Sequence, residues 1–417
     1  MKNKYNVSEI FQPASFPEYT YVSRKINERE TYEGKLRKAL DTKGVLSFVT
    51  GASKSGKTVL CHSAIAKDDI VEVSGSHIRS LEDFWIQIAE NLFLPVEVEV
   101  TSGDNKEFSL NGELSAKSGI PLIATGNVRG SAGFKESNIS STKEKQQRGI
   151  KQIIEYMKAN NKVLVIDDFH YIEESVQLSI ARILKNEIFD GLKAIVISLP
   201  HRSDDAIRLN PDLNGRVRFI NIKNWTEEEL IQIPLQGFKL LNYDIKSDVM
   251  QFMALESLTS PHLMQQICLS LSYYLQDGHT QSSINVGFLK GIFQEITEDM
   301  QFENIIGKII SGPSHGKENR RTYTLRNGEK HDIYYVILKA LAQNPPVIEI
   351  NIEDMQLRVQ SIIDENGEMP RKSDISNALG KIQKILNDNG YRFEYLEWRE
   401  QKLNILDSLF MFYLRWK

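Results

Sequence analysis

Cysteine is scarce in this sequence: two residues, Cys61 and Cys268, among 417. They lie far apart and match no metal-ligand spacing, which excludes a zinc or disulfide framework as the basis of the fold. Two unpaired thiols fit a reducing compartment, so a cytoplasmic protein is expected. No apolar run approaches the roughly 20 residues of a membrane span. The opening stretch MKNKYNVSEIFQPASFPEYT has no apolar h-region, so no secretory leader is expected. Charge of one sign is not in excess either. Lys and Arg number 51 against 55 Asp and Glu, a formal net charge of −4. That balance gives no overall drive toward DNA or an anionic membrane. No internal repeat or low-complexity tract occurs.

What remains is ordinary globular composition, 41% hydrophobic and 25% charged. At roughly 100–200 residues per domain, the length allows two to four domains. The pattern predicts a charged helix over 25–42, a buried strand over 45–49, a Gly/Ser/Lys loop and a helix over 57–66. A strand at 70–73 and a helix beginning after Ser80 follow. Residues 94–141 change character. Val96-Glu97-Val98-Glu99-Val100 alternates, and Gly/Asn/Asp turn signals surround it, so a β-rich insertion is expected. A helix is expected over 143–159, then strands over 162–168, 194–198 and 216–222. Strands alternating with helices argue for a mostly parallel α/β sheet. From Trp225 the pattern is helical, opening on the capping box Thr226-Glu227-Glu228-Glu229. Helices are expected over 226–241, 246–257, 261–276 and 285–304. A linker or exposed hairpin over 311–330 precedes three helices and two short strands. These divisions predict a nucleotide-binding domain over 1–224, a helical lid over 225–310 and a winged-helix domain over 311–417. Trp85, Trp225 and Trp398 sit in apolar patterns and are expected in the core.

Gly51-Ala52-Ser53-Lys54-Ser55-Gly56-Lys57-Thr58 fits the phosphate-loop pattern G-x-x-x-x-G-K-[ST], in the strand–loop–helix context it requires. Glycines let the backbone curl so that successive N–H groups face phosphate, and the helix behind offers its positive end. Lys57 reaches the β- and γ-phosphates, and Thr58 ligates Mg²⁺. Asp167 ends a buried strand at the edge where α/β folds bind ligands. It is assigned to the Mg²⁺ site with Thr58, and Asp168 to the attacking water. An Asp there, where many ATPases have Glu, argues for slow hydrolysis. Ser198 and Arg202 are candidates for sensing the γ-phosphate; Arg202 alternatively pairs with Asp204 or Asp205. Arg216, with Arg218, is a candidate finger for a neighbouring subunit's nucleotide, the alternative being ordinary strand-edge arginines.

Tyr21-Val22-Ser23-Arg24, the 51–58 loop, the strand ending at Asp167-Asp168, Pro200-His201-Arg202, the helical block and the terminal helix–hairpin unit come in the order of an AAA+-related ATPase. The chain resembles the branch shared by STAND ATPases and Orc/Cdc6-like archaeal-type ATPases. Ser260-Pro261-His262-Leu263 is similar to the G-x-P of that family's lid, with Ser where the pattern has Gly and no sensor arginine nearby. The aromatic ending Asp407–Trp416 is similar too. The resemblance implies a P-loop fold with a lid and a winged helix, ATP/ADP and Mg²⁺ as cofactors, and homo-oligomerisation. It implies nucleotide contacts from Gly51, Ser53, Ser55, Gly56, Val59, Val22, Arg24 and Pro261. It further implies a switch controlling a partner effector on another chain, in bacteria often in anti-phage defence. A DNA-binding loader and a non-hydrolysing scaffold are the alternatives. Arg371, Lys372, Lys381 and Lys384 are the residues that would meet DNA, but the winged-helix region balances acids and bases, so nucleic acid is not favoured. No membrane contact is expected.

Overall fold

The computed structural model describes residues 5–94, 96–102, 105–110, 135–199, 215–278, 280–313, 320–387 and 395–417; for 96–102, 105–110, 135–145 and residue 282 it describes the backbone alone. The chain forms two compact units. One comprises Ser23–Gly51 and Lys57–Lys223. The other comprises Met1–Val22, Ala52–Gly56 and Asn224–Lys417. Among the described residues no helix is long and apolar enough to cross a membrane.

The first unit is built on a five-stranded parallel sheet. Its strands are β1 (Leu46–Thr50), β2 (Ile70–Ser74), β3 (Val163–Asp167), β4 (Lys193–Ser198) and β5 (Val217–Asn221), in spatial order β2-β3-β4-β1-β5. The expected α/β sheet of a P-loop NTPase is therefore present. Both faces are apolar. Ala194 and Val196 of β4 enter one core, while Ile195 and Ile197 enter another. Strands apolar on both faces need helices on both. Helices α1 (Tyr32–Asp41) and α2 (Lys57–Ala64) cover one side with Leu36 and Leu60; α3 (Leu81–Asn91), α4 (Lys135–Ala159) and α5 (Glu174–Phe189) cover the other with Phe84, Ile153 and Ile180.

The expected helix over 25–42 is shorter. Lys25–Asn27 and Glu30–Thr31 pair as strands, and α1 starts only at Tyr32. An Asx turn, with the Arg29 amide on Asn27 Oδ1 at 2.9 Å, and an N-cap bond from the Gly34 amide to Thr31 Oγ1 stop the helix from extending backward. In the 94–141 segment, Val96–Ser102 and Asn105–Leu110 form an antiparallel hairpin, and α4 begins at Lys135, earlier than expected. The turn signals at Gly126-Asn127 and Gly130-Ser131 lie outside the described residues.

The second unit is mainly helical. Helices α6 (Glu227–Leu240), α7 (Ser247–Glu256), α8 (Pro261–Gln276), α9 (Val286–Glu298) and α10 (Glu303–Ser311) share one core with α11 (Ile333–Leu341), α12 (Ile352–Ile362), α13 (Lys372–Asn387) and α14 (Ser408–Trp416). Glu349–Asn351 (β6), Leu396–Arg399 (β7) and Lys402–Ile405 (β8) form an antiparallel sheet in the order β6-β8-β7. The single helix expected over 285–304 is two, because Phe302 turns into a ring cluster with Tyr395, Phe410 and Tyr413. The N-terminal segment belongs to this unit. Phe11 lies on Gly237 of α6, where a Cβ would come within 2.3 Å of its ring. Gln265 of α8 accepts from the Gln12 amide at 3.1 Å and donates to Thr20 Oγ1 at 2.8 Å.

Candidate phosphate site

β1 ends at Thr50 and α2 begins at Lys57, so the loop between them emerges from the carboxyl edge of the sheet. Lys54 and Gly56 take left-handed angles, with φ of 61° and 90°. Gly56 does so without strain; at Lys54 the turn overrides the side chain's preference. The Lys57 ammonium folds back onto the Gly51 carbonyl at 3.1 Å. One residue on, Thr58 Oγ1 donates to Asp167 Oδ2 at 2.6 Å. The other carboxylate oxygen of Asp167 accepts from the Asp168 amide at 2.7 Å. The carboxylate is thus oriented from both sides, and a hydroxyl and an anionic oxygen are held together at the helix start.

Asp168 is left-handed, with φ 53° and ψ 37°. The turn it makes sits against Gly75, which follows β2. A Cβ on Gly75 would stand 2.3 Å from the Asp168 carbonyl oxygen and 3.1 Å from that of Asp167. Sequence reasoning missed Gly75; the available signal was Ser74-Gly75-Ser76 directly after a strand neighbouring the acid strand. Backbone cannot yield to a methyl group as a flexible side chain can. Gly75→Ala should therefore displace the acid turn and destabilise the sheet unit by about 1–3 kcal/mol. A lower thermal unfolding midpoint checks this; an unchanged midpoint would show that the turn tolerates the shift.

Ser198 ends β4, between β3 and β1, in register with Thr50. Its hydroxyl is buried with no partner among the described residues, and so is that of Ser55 in the loop. Buried hydroxyls without partners are uncommon and call for an explanation. Behind the site, His62 of α2 meets Glu72 of β2 at 2.7 Å, and this hydrogen bond holds the imidazole above its ordinary range against the opposing pull of burial. Burial pushes the neighbouring Cys61 thiol well up, so it is inert.

The remaining expected residues are dispersed. Ser53 and Val59 are half-buried in the loop and on α2. Arg202 lies outside the described residues. Arg216 is exposed at the amino edge of the sheet, where its carbonyl accepts from the Leu46 amide at 2.8 Å and its guanidinium lies 5.5 Å over the Phe189 ring. It is at the opposite end of the strands from its own loop. Arg24 is buried and donates to the Lys223 carbonyl at 3.0 Å, 5.4 Å over the Tyr32 ring. Its guanidinium anchors a chain crossing. Val22 packs against the core of the helical unit. Pro261 opens α8 behind its N-cap Ser260, and His262 Nδ1 meets the Pro13 carbonyl at 2.7 Å. The His170 and Tyr171 rings, just after Asp168, lie 4.2 Å apart and tilted by 41°.

Residues 41–204 match the family model of the AAA domain. The matched residues include the loop, Thr58, Gly75, Asp167, Asp168 and Ser198. No curated protein sequence matches the chain. Among solved structures it is similar to Cdc6p from Pyrobaculum aerophilum, with 16% identity over 97% of this chain and 96% of that one, at a TM-score of 0.44. It is also similar to the walker-type ATPase paby2304 of Pyrococcus abyssi, with 12% identity, 92% and 94% coverage and a TM-score of 0.45. The ORC2 protein of Aeropyrum pernix, in ADPNP–ADP complexes, gives 11% identity, 94% coverage of each chain and a TM-score of 0.44.

Proposed function

We propose that the chain is an ATP-binding, ATP-hydrolysing switch of the AAA+ type that assembles with further copies of itself and acts on a partner protein. The observation that carries this is the Thr58–Asp167 bond beside a phosphate loop within an AAA domain. The residues present suit Mg²⁺ and nucleotide. Thr58 and Asp167 together offer the oxygen donors that Mg²⁺ favours. The buried Ser198 and Ser55 hydroxyls have hydrogen-bonding capacity to spare. Bound Mg²⁺ supplies charge neutralisation for the phosphates. Gly51, Ser53, Ser55, Gly56 and Val59 would hold the phosphates, and Lys57, now on the Gly51 carbonyl, would supply positive charge to them. Asp168 stands beside Asp167 to orient water, and its short arm favours slow turnover. Val22, Arg24 and Pro261 are assigned to the rest of the nucleotide's surroundings, with Arg24 acting through the backbone it holds.

The location of Arg216 supports a role in trans. An exposed guanidinium at the amino edge is far from its own loop but free to meet another copy's. In this proposal a nucleotide domain over 1–224 is followed by a lid over 225–310 and a winged helix over 311–417, although residues 1–22 and 52–56 group with the helical unit. A DNA-loader function is less well supported. Lys372 pairs with Glu353, Arg321 with Glu368 and Lys402 with Glu349, so much of the terminal region's positive charge is answered within it. Steady-state phosphate release from the full chain tests the reading. It should vanish in Lys57→Ala and rise per molecule with protein concentration in the wild type. A rate independent of concentration would remove the trans role of Arg216, and a rate untouched by Lys57→Ala would remove the function.

A further inference from the structure

We infer that Trp225 is a positioning residue of the phosphate loop, holding Ser55 through its indole N–H and carrying the loop's nucleotide state into the helical unit. This rests on the nucleotide-binding reading above and adds a residue that the AAA domain match, ending at residue 204, does not include.

Sequence pattern marks Trp225 only as a core residue, and it is indeed buried, with 9% of its surface exposed. Its polar edge, however, is not buried idly. The indole Nε1–H donates to the Ser55 carbonyl at 2.9 Å. The ring is fixed before it reaches the loop. Thr226 caps α6, with the Glu229 amide on its hydroxyl at 3.2 Å and its own amide on the Glu229 carboxylate at 3.0 Å. Trp225 precedes that cap, and Leu230 sits at the fourth helical position; both belong to the same core, as in a hydrophobic staple. Two residues earlier, Lys223 is pinned within the sheet unit, its amide on the Tyr32 hydroxyl at 3.1 Å and its carbonyl on Arg24 at 3.0 Å.

The loop end of the contact is equally specific. A loop that turns its N–H groups toward an anion turns carbonyls the other way, and a buried carbonyl needs a donor. Ser55 is itself buried, between the two left-handed residues Lys54 and Gly56. Its carbonyl shares a planar trans peptide with the Gly56 N–H, so tying the oxygen to the indole directs that N–H the opposite way. Any nucleotide that reorients this peptide must change the indole bond as well. Burial, and after it the Lys54 charge, lowers the His262 imidazole of α8, and burial raises the Asp407 carboxyl at the cap of α14 against the pull of the same ammonium. Residues 52–56 accordingly group with the helical unit, although the strand before them and the helix after them belong to the other.

The test uses the full chain and Trp225→Phe, which keeps an aromatic in the staple and removes the donor. Loss of the bond should weaken Mg·ADP binding about tenfold, the scale of one unpaired buried carbonyl. Turnover at saturating ATP should stay within about twofold, because no reacting atom is touched. The change in tryptophan emission on adding ADP to the wild type should disappear in the variant. Wild-type affinity with the emission change intact would overturn the inference. Should the Phe variant not fold, Trp225→3-benzothienylalanine keeps the ring shape and replaces N–H by sulfur, and it carries the same readouts. Failure of the wild type itself to bind ADP would instead overturn the nucleotide reading on which the inference stands.

Discussion

If the proposed ATP hydrolysis holds, Asp167→Asn should lower turnover by about 10²–10³-fold while leaving the chain folded. The size follows from what the change removes. Asparagine keeps an oxygen for the Thr58 hydroxyl at 2.6 Å or the Asp168 amide at 2.7 Å, so the turn retains much of its support. It loses the negative charge, which is the property a divalent cation needs at this position. Binding of ADP without Mg²⁺ should therefore change little, within about threefold, while the Mg²⁺ dependence of binding is lost. Phosphate release and metal-dependent ADP titration separate the two effects. Thr58→Ala should reproduce the loss of Mg²⁺ dependence with a smaller fall in turnover, because the neutral ligand goes and the charge stays. A variant lacking the carboxylate yet turning over at the wild-type rate would place the metal elsewhere.

Glu256→Ala should destabilise the helical unit by about 3–5 kcal/mol, the cost of leaving a buried cation without its partner. The Glu256 and Arg415 side chains are 1% and 3% exposed. Arg415 makes a two-pronged bond to Glu256, at 3.0 Å from Nε and 2.7 Å from Nη2. Its remaining donors meet the Ala342 and Gln343 carbonyls and Asn344 Oδ1. Trp416 adds an indole bond to the same Glu256 carboxylate at 3.0 Å. One guanidinium thus joins the end of α7, α14 and the carbonyls left open past the last turn of α11. Rings repeat the connection, with Phe293 of α9 4.9 Å from Trp416 and 5.5 Å from Phe412. Thermal unfolding should show the loss as a lower midpoint. Glu256→Gln, which keeps acceptors without charge, should recover part of it. A midpoint unchanged in Glu256→Ala would mean that α7 and α14 are not held by this network.

Much of the site could be read from the chain because its signals are local. The loop spacing, the apolar run ending at Asp167 and the serine closing Ala194–Ser198 each lie within one strand and its next turn. Parallel strands set in a row by helical crossovers then bring those ends to one edge. What escaped were contacts made across sequence. Gly75 matters only because β2 and β3 run side by side, so that the Asp168 backbone passes over it. Glu256 and Arg415 lie 159 residues apart, and only the fold buries them together. The bond from the Arg24 guanidinium to the Lys223 carbonyl likewise joins residues far apart in the chain. Trp225 read as core because pattern registers an indole's ring and not its N–H. The break in the helix expected over 25–42 depended on Asn27 and Thr31, whose side chains compete with the backbone for hydrogen bonds. Propensity summed over a window does not resolve such competition.

Calorimetric titration of the full chain with Mg·ATP and Mg·ADP, with Lys57→Ala in parallel, tests the central claim most directly. The account predicts one nucleotide bound per wild-type chain and binding at least about tenfold weaker in the variant, because Lys57 supplies the mobile charge at the phosphates. No binding by the wild type, or equal binding by both proteins, would contradict it.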